Sequence, residues 1–145
     1  MSAALGTTYA DILDDEKATA CAAYVGNEIV QIVRKLEIQL EDLVPGWSYY
    51  DLAFSDQIGL EKAKEWLREY FHPHRSLKAS MLQDMEKGTP SEIDYIVGIC
   101  SEWGKKVGVP TPICDTIIEI VKDFESGKIP LPSMSLLSRF DLEGK

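Results

Sequence analysis

Between Met85 and Ile93 the chain cannot remain one helix, and that interruption dictates how two helical runs must meet. Gly88 falls where a helix C-terminus needs a residue at positive φ. Pro90 has no amide hydrogen with which to continue a helix, and it biases Thr89 toward extended backbone. Ser91, followed three residues later by Asp94, is an N-cap pattern for the next helix. This spacing predicts that Ser80 to Asp84 form the last turns of the first helix. An elbow of this kind brings its arms together, so the Ser80 hydroxyl and the Glu92 carboxylate are expected at the mouth of one interhelical notch. Each also has a plainer reading. A glutamate in a first helical turn is commonly a surface carboxylate favoured by the helix dipole, and a serine there is commonly a tolerated small residue.

The rest of the chain reads as helix as well. Ala18, Ala22, Val25, Ile29, Ile32, Val33 and Leu36 recur at three- and four-residue steps, predicting a long helix from Asp14–Asp15 to about Leu36. Gly26 interrupts it at about 1 kcal/mol relative to alanine, which predicts close approach of a neighbouring helix. A second helix is expected over 60–71, with Leu60, Ala63, Leu67, Tyr70 and Phe71 inside and Glu61, Lys62, Lys64, Glu65 and Glu69 outside. Beyond the elbow, Ile93, Ile96, Cys100, Trp103 and Val107 predict a buried stripe that Gly108 and Pro110 end. Pro112 then opens a helix at the position where its missing N–H is harmless. Ile113, Ile117, Ile120, Val121 and Phe124 line that helix, and Gly127 closes it. Trp47 to Tyr50 either line a pocket or pin a loop to the core. The piece from Met134 to Phe140 is either a docking strap or a partner contact. No stretch alternates with period two, so the fold class is all-α, a single bundle of five or six helices.

Several functions are disfavoured by what the residues lack. A net charge of −9 argues against nucleic acid, whose phosphates require clustered Lys and Arg. Arg75 and Lys78 form the one cationic patch adjoining the elbow. Cys21, Cys100 and Cys114 contain no CxxC pair, which fits reduced thiols and a cytoplasmic protein better than zinc or disulfides. His72-Pro73-His74 lacks further ligands at metal spacing and reads as a helix-ending turn. There is no signal-peptide pattern and no apolar run of membrane-spanning length. No Gly-rich strand-to-helix turn is present to cradle a dinucleotide.

The strings Ser80-Met81-Leu82-Gln83-Asp84 and Gly88-Thr89-Pro90-Ser91-Glu92-Ile93-Asp94-Tyr95-Ile96 closely resemble the C-terminal domain signature of ketopantoate reductases (2-dehydropantoate 2-reductases). Gly108-Val109-Pro110-Thr111-Pro112 is similar to a second landmark of that family. The resemblance covers about residues 5 to 125. It implies an all-α bundle of the 6-phosphogluconate dehydrogenase C-terminal kind, with a domain core over about 5–127 and a tail over 128–145. It also implies that a Rossmann domain holding NADPH is not part of this chain. The family's general-acid lysine and its asparagines then fall upstream of Met1, and Lys17 lies in the wrong stretch to replace that lysine.

By the same resemblance Ser80 binds the 2-keto acid substrate, Glu92 is catalytic at the reacting end, and Asp84 is a structural acceptor. The implied reaction is NADPH-dependent reduction of 2-dehydropantoate in pantothenate biosynthesis, with the isolated chain inactive and a homodimer among its possible assemblies. Val97 and Cys114 stand where relatives often carry asparagine, which opens the choice of 2-keto acid. A helical dimerisation module without catalytic role is the alternative.

Overall fold

The computed structural model describes residues 1–42 and 44–142. Among the described residues it contains eight α-helices, three 3₁₀ turns and no strand, apart from one isolated bridge between Val44 and Trp47. The helices are α1 (Ser2–Leu5), α2 (Tyr9–Asp14), α3 (Glu16–Lys35), α4 (Gln57–Phe71), α5 (Ser80–Glu86), α6 (Ile93–Ile96), α7 (Gly98–Val107) and α8 (Pro112–Glu125). The all-α expectation holds. The helix count exceeds it because residues 1–14 fold into two short helices and the run after the elbow divides at Val97–Gly98.

α3 is the axle of the bundle. Asp15 caps it by accepting the Ala18 N–H at 2.8 Å. Its small residues let elements approach from two sides. Ala18 and Cys21 join a core with α1, α5, α8 and Phe140, while Ala20, Ala23 and Val30 join a second with Leu52, Leu60, Ala63 and Leu67. At Gly26 a Cβ would stand 2.8 Å from Leu52 Cδ1, so the close approach is real. The neighbour, however, is the 3₁₀ turn Tyr49–Leu52 and not a helix.

The aromatic stretch pins a loop to the core. The Trp47 ring meets Trp66 and Tyr70 edge-on at 5.4 and 5.5 Å, and the Tyr50 hydroxyl accepts the Leu40 N–H at 3.1 Å. Tail residues 128–142 act as a strap: Phe140 is 1% exposed in the main core, and Arg139 pairs with Asp123 at 3.0 Å. Residues 143–145 of the expected tail lie outside the described residues.

Two expectations need correction. Lys64 is buried rather than outside, with its ammonium 2.5 Å from Glu16 and 2.9 Å from Glu61; Arg68 also reaches Glu16, at 2.6 Å. In the stripe after the elbow only Ile93 is buried, whereas Ile96 is 50% and Trp103 39% exposed. The break at Val97–Gly98 shifts the helical phase, and α7 turns Ser101 and Gly104 inward instead. A Cβ on Gly104 would stand 2.7 Å from Thr111 Cγ2, so that glycine permits the close contact with the loop before α8.

The Lys64 network gives the protein an acid limb. Hydrogen bonds from Lys64, and for Glu16 also from Arg68, hold the Glu16 and Glu61 carboxyls below their ordinary range. A carboxyl with a depressed folded pKa stabilises the fold above its unfolded value of about 4.3, and that contribution is lost as pH falls through the folded value. Burial opposes the charge on Lys64, but its bonds to the two glutamates outweigh this and raise its pKa. Its share is therefore present below its unfolded value of about 10.4 and is lost only at higher pH. Melting temperature should be flat near neutrality and fall below about pH 4. Glu16→Gln should make that acid limb shallower, the Asp11, Asp14 and Asp123 carboxyls being held low by their own partners as well; an unchanged limb in thermal scans would remove this network as a source.

Candidate functional site at the elbow

The elbow is built as anticipated at its stop and differently at the start of its second helix. Gly88 takes φ 73°, and the Thr89 N–H returns to Asp84 O at 2.9 Å, closing α5. The helix that enters the elbow, α5, is only 7 residues long, so Ser80 to Asp84 lie on it as expected, with Ser80 its first residue, at the end away from the Gly88 stop. The His72–Pro73–His74 turn ends α4, and an irregular stretch separates it from α5. At the other start, Glu92 rather than Ser91 holds the N-cap position of α6. Ser91 Oγ accepts the Ile93 N–H at a long 3.4 Å, and the Ser91 N–H is donated to Glu125 Oε1 at 2.8 Å.

Ser80 and Glu92 are both exposed, and among the described residues neither side chain has a hydrogen-bond or ion-pair partner. Their uncommitted state contrasts with the charges around them. Arg75 pairs with Asp14 at 2.5 Å and Lys78 with Glu86 at 2.6 Å, so the cationic patch is already neutralised by carboxylates. His72 and His74 are exposed, and no group of potential metal ligands is found among the described residues. Lys17 sits in the first turn of α3 beside Ser138 and Asp141 of the tail.

The surroundings of Ser80 are ordered from the far end of the chain. Ser2, buried in α1, accepts the Ala79 N–H at 3.2 Å and donates to Thr7 O at 2.6 Å. Ala79 also lines an apolar groove of about 270 Å³ together with Met1, Tyr9, Ile12, Leu67 and Phe71. A second groove, of about 340 Å³, lies between α3 and α7 and is lined by Ile29, Ile32, Val33, Leu36, Ile99 and Trp103.

Cys114 does not face this surface. It is fully buried, and its N–H is donated to the carboxylate of Glu28, so the replacement there acts on core packing and the start of α8. Burial, reinforced by Glu28, pushes the Cys114 thiol far above its ordinary pKa. Val97 is half-buried against the main core. Ser2, Glu28 and Glu125 carry no sequence signal because each serves a backbone amide between 34 and 86 residues away. No local pattern marks such a pairing.

No helix of the described residues is long and apolar enough to cross a membrane. Two reductases share local sequence with the chain. The 2-dehydropantoate 2-reductase of Mesorhizobium japonicum is 47% identical over 45 residues, 31% of this chain and 14% of that protein. The enzyme of the same name from Archaeoglobus fulgidus is 34% identical over 50 residues, 34% of this chain and 17% of that protein. The crystal structure of a PanE/ApbA family ketopantoate reductase from Ralstonia eutropha superposes with a TM-score of 0.67 at 20% identity, over 88% of this chain and 36% of that one. The chain thus spans about a third of its structural neighbour. The pattern that defines the C-terminal region of ketopantoate reductase PanE/ApbA matches residues 1–125, more than half of the sequence, and the chain belongs to that family.

Proposed function

We propose that this chain is the substrate-binding helical domain of an NADPH-dependent reductase that converts 2-dehydropantoate, or a related 2-keto acid, to the 2-hydroxy acid, within pantothenate biosynthesis if 2-dehydropantoate is the substrate. The observation that carries the reading is the family match over residues 1–125, beside which stand an exposed hydroxyl at the start of α5 (Ser80) and an exposed carboxylate at the N-cap of α6 (Glu92). A dinucleotide-binding domain is built on a strand, a Gly-rich turn and a helix N-terminus, and the described residues contain no strand for such a turn to follow. NADPH therefore belongs to a partner domain, which would supply the hydride. On this chain, Ser80 donates its O–H to the substrate carboxylate without adding charge, and Glu92 accepts hydrogen bonds at the ketone end, where it can orient an ammonium acid. The protein acts in the cytoplasm on this reading.

The test joins residues 1–145 behind the leading part of the Mesorhizobium japonicum reductase and follows NADPH oxidation. Glu92→Ala should lower kcat by about 100-fold, the low end for a group engaged in proton handling. Ser80→Ala should raise KM by about tenfold, the equivalent of one hydrogen bond. Unchanged kinetics in both variants, or NADPH oxidation by the 145-residue chain alone, would overturn the proposal.

A second reading, a helical dimerisation module, is favoured by one feature. The α3–α7 groove leaves Ile38, Ile99 and Trp103 at 51%, 40% and 39% exposure. The small-residue half of α3 and the tail are already used internally, so an interface would lie at this groove. Sedimentation equilibrium of Trp103→Asp, read beside the kinetics of Glu92→Ala, separates the two: a dimer that becomes a monomer while Glu92→Ala leaves turnover unchanged supports the second reading, and a wild-type monomer excludes it.

A further inference from the structure

We infer that Glu125 is a positioning residue for Glu92, an inference that rests on the reductase reading of Glu92. The four residues from Ser91 to Asp94 are anchored at every position but one. Ser91 is held through its backbone, its N–H donated to Glu125 Oε1 at 2.8 Å. Ile93 is held by its side chain, which is 1% exposed in the main core. Asp94 is held by Lys122, whose ammonium lies 2.6 Å from Oδ1. Glu92 has no side-chain hydrogen bond or ion pair among the described residues; its carbonyl accepts only the Tyr95 and Ile96 N–H groups within its own helix, at 3.0 and 3.1 Å.

Both polar anchors come from the last turn of α8, at Lys122 and Glu125. The loop from Lys87 to Pro90 that leads into this stretch is exposed throughout and adds no buried side chain. Glycine at positive φ and proline set the local shape of that loop, but not where its far end sits against the bundle. That placement comes from contacts with other elements on either side of Glu92: the Ile93 side chain in the main core, and the hydrogen bond from the Ser91 N–H to Glu125. Ser80 is held in the same manner, since the amide before it is bound by Ser2. A carboxylate whose backbone is fixed one residue away can be free at its tip and still be correctly placed. A group that must meet a reacting ketone needs such placement, because displacements near 1 Å are costly to turnover.

The inference is tested with Glu125→Ala and Glu125→Gln, the second keeping the Oε1 acceptor. In the 145-residue chain, the Ser91 amide should exchange with solvent about tenfold faster in Glu125→Ala and at about the native rate in Glu125→Gln. In the fusion enzyme, Glu125→Ala should lower kcat by about tenfold with KM changed by less than about twofold, and Glu125→Gln should restore turnover. Added to Glu92→Ala, it should cost almost nothing more, as expected of residues acting as one unit.

A lowered melting temperature with unchanged kcat would mark Glu125 as an ordinary helix-end ligand and overturn the inference while leaving the reductase reading intact. Unchanged Ser91 exchange in Glu125→Ala would overturn it directly. Unchanged kcat in Glu92→Ala would bring down the reading of Glu92 and this inference with it.

Discussion

Phe140→Ala should destabilise the protein by about 3–5 kcal/mol, the range for emptying a buried aromatic site. At this chain length that corresponds to a fall in melting temperature of roughly 10 °C. Phe140 is the largest fully buried side chain, although it lies only a few residues from the C-terminus and sixteen residues beyond the nearest aromatic, Phe124. It enters the core that contains α1, α5 and α8, and it is delivered there by a 3₁₀ turn over Met134–Arg139. Arg139 adds surface pairs with Asp123 and Glu119, at 3.0 and 3.6 Å. Exposed pairs of this kind contribute little by themselves, so the ring should dominate. Gly6 shows how close the strap lies to α1: at φ 56° its missing Cβ would sit 1.8 Å from Pro132 O. Urea denaturation followed by circular dichroism measures the loss. A cost below about 1 kcal/mol would mean that the strap peels away without disturbing the core, since a ring that is part of the cooperative unit cannot be so cheaply removed.

The strap illustrates what could and could not be read ahead of the coordinates. Its apolar residues were visible in the sequence, but their destination was not, because burial against α1 depends on contacts more than a hundred residues apart. Local physics was legible. The stripes of α3 and α8 and the stops at Gly88, Gly108 and Gly127, all at φ near 72° to 73°, follow from spacing and from the tolerance of glycine for positive φ. The stripe expected after the elbow differs from the one observed because a short interruption at Val97–Gly98 resets the phase, and every later position then faces a different neighbour. A lysine in a charged stretch such as 61–65 normally faces water, which is why the pattern puts Lys64 outside. Its burial depends on Glu16, which arrives from another helix. At the candidate site, Ser80 and Glu92 were named through resemblance, whereas the side chains that hold their backbones, Ser2 and Glu125, were invisible. A local pattern reveals a cap supplied by the same helix but not one supplied from across the bundle.

Glu28 is the clearest case of such a distant cap, and its replacement should be as damaging as the loss of Phe140. α8 begins without help from its own N-cap: Thr111 makes no capping bond and its hydroxyl turns to Asp115 instead, while Pro112 has no N–H to satisfy. The next two amides, of Ile113 and Cys114, are buried and are donated to the two carboxylate oxygens of Glu28 at 2.8 and 3.0 Å. Glu28 itself is only 6% exposed; these two donors and the positive end of the helix dipole favour a carboxylate there, and the Cys114 thiol bonds to it as well. Glu28→Ala would strand two buried donors, each costing about 1–3 kcal/mol, for a total of roughly 4 kcal/mol. Glu28→Gln keeps one acceptor but turns an NH₂ group toward a donor, so about half of that loss is expected. Hydrogen exchange at the Ile113 and Cys114 amides should accelerate in both variants before global unfolding does. The buried Cys114 thiol, held protonated by its surroundings, should become open to alkylation in Glu28→Ala. If Glu28→Ala melts within about 2 °C of the parent, a loss of well under 1 kcal/mol, then α8 does not depend on this carboxylate for its start. If it melts far lower, the joint between α3 and α8 is what carries Lys122 and Glu125 to the elbow, and the geometry around Glu92 begins at a buried glutamate more than sixty residues before it.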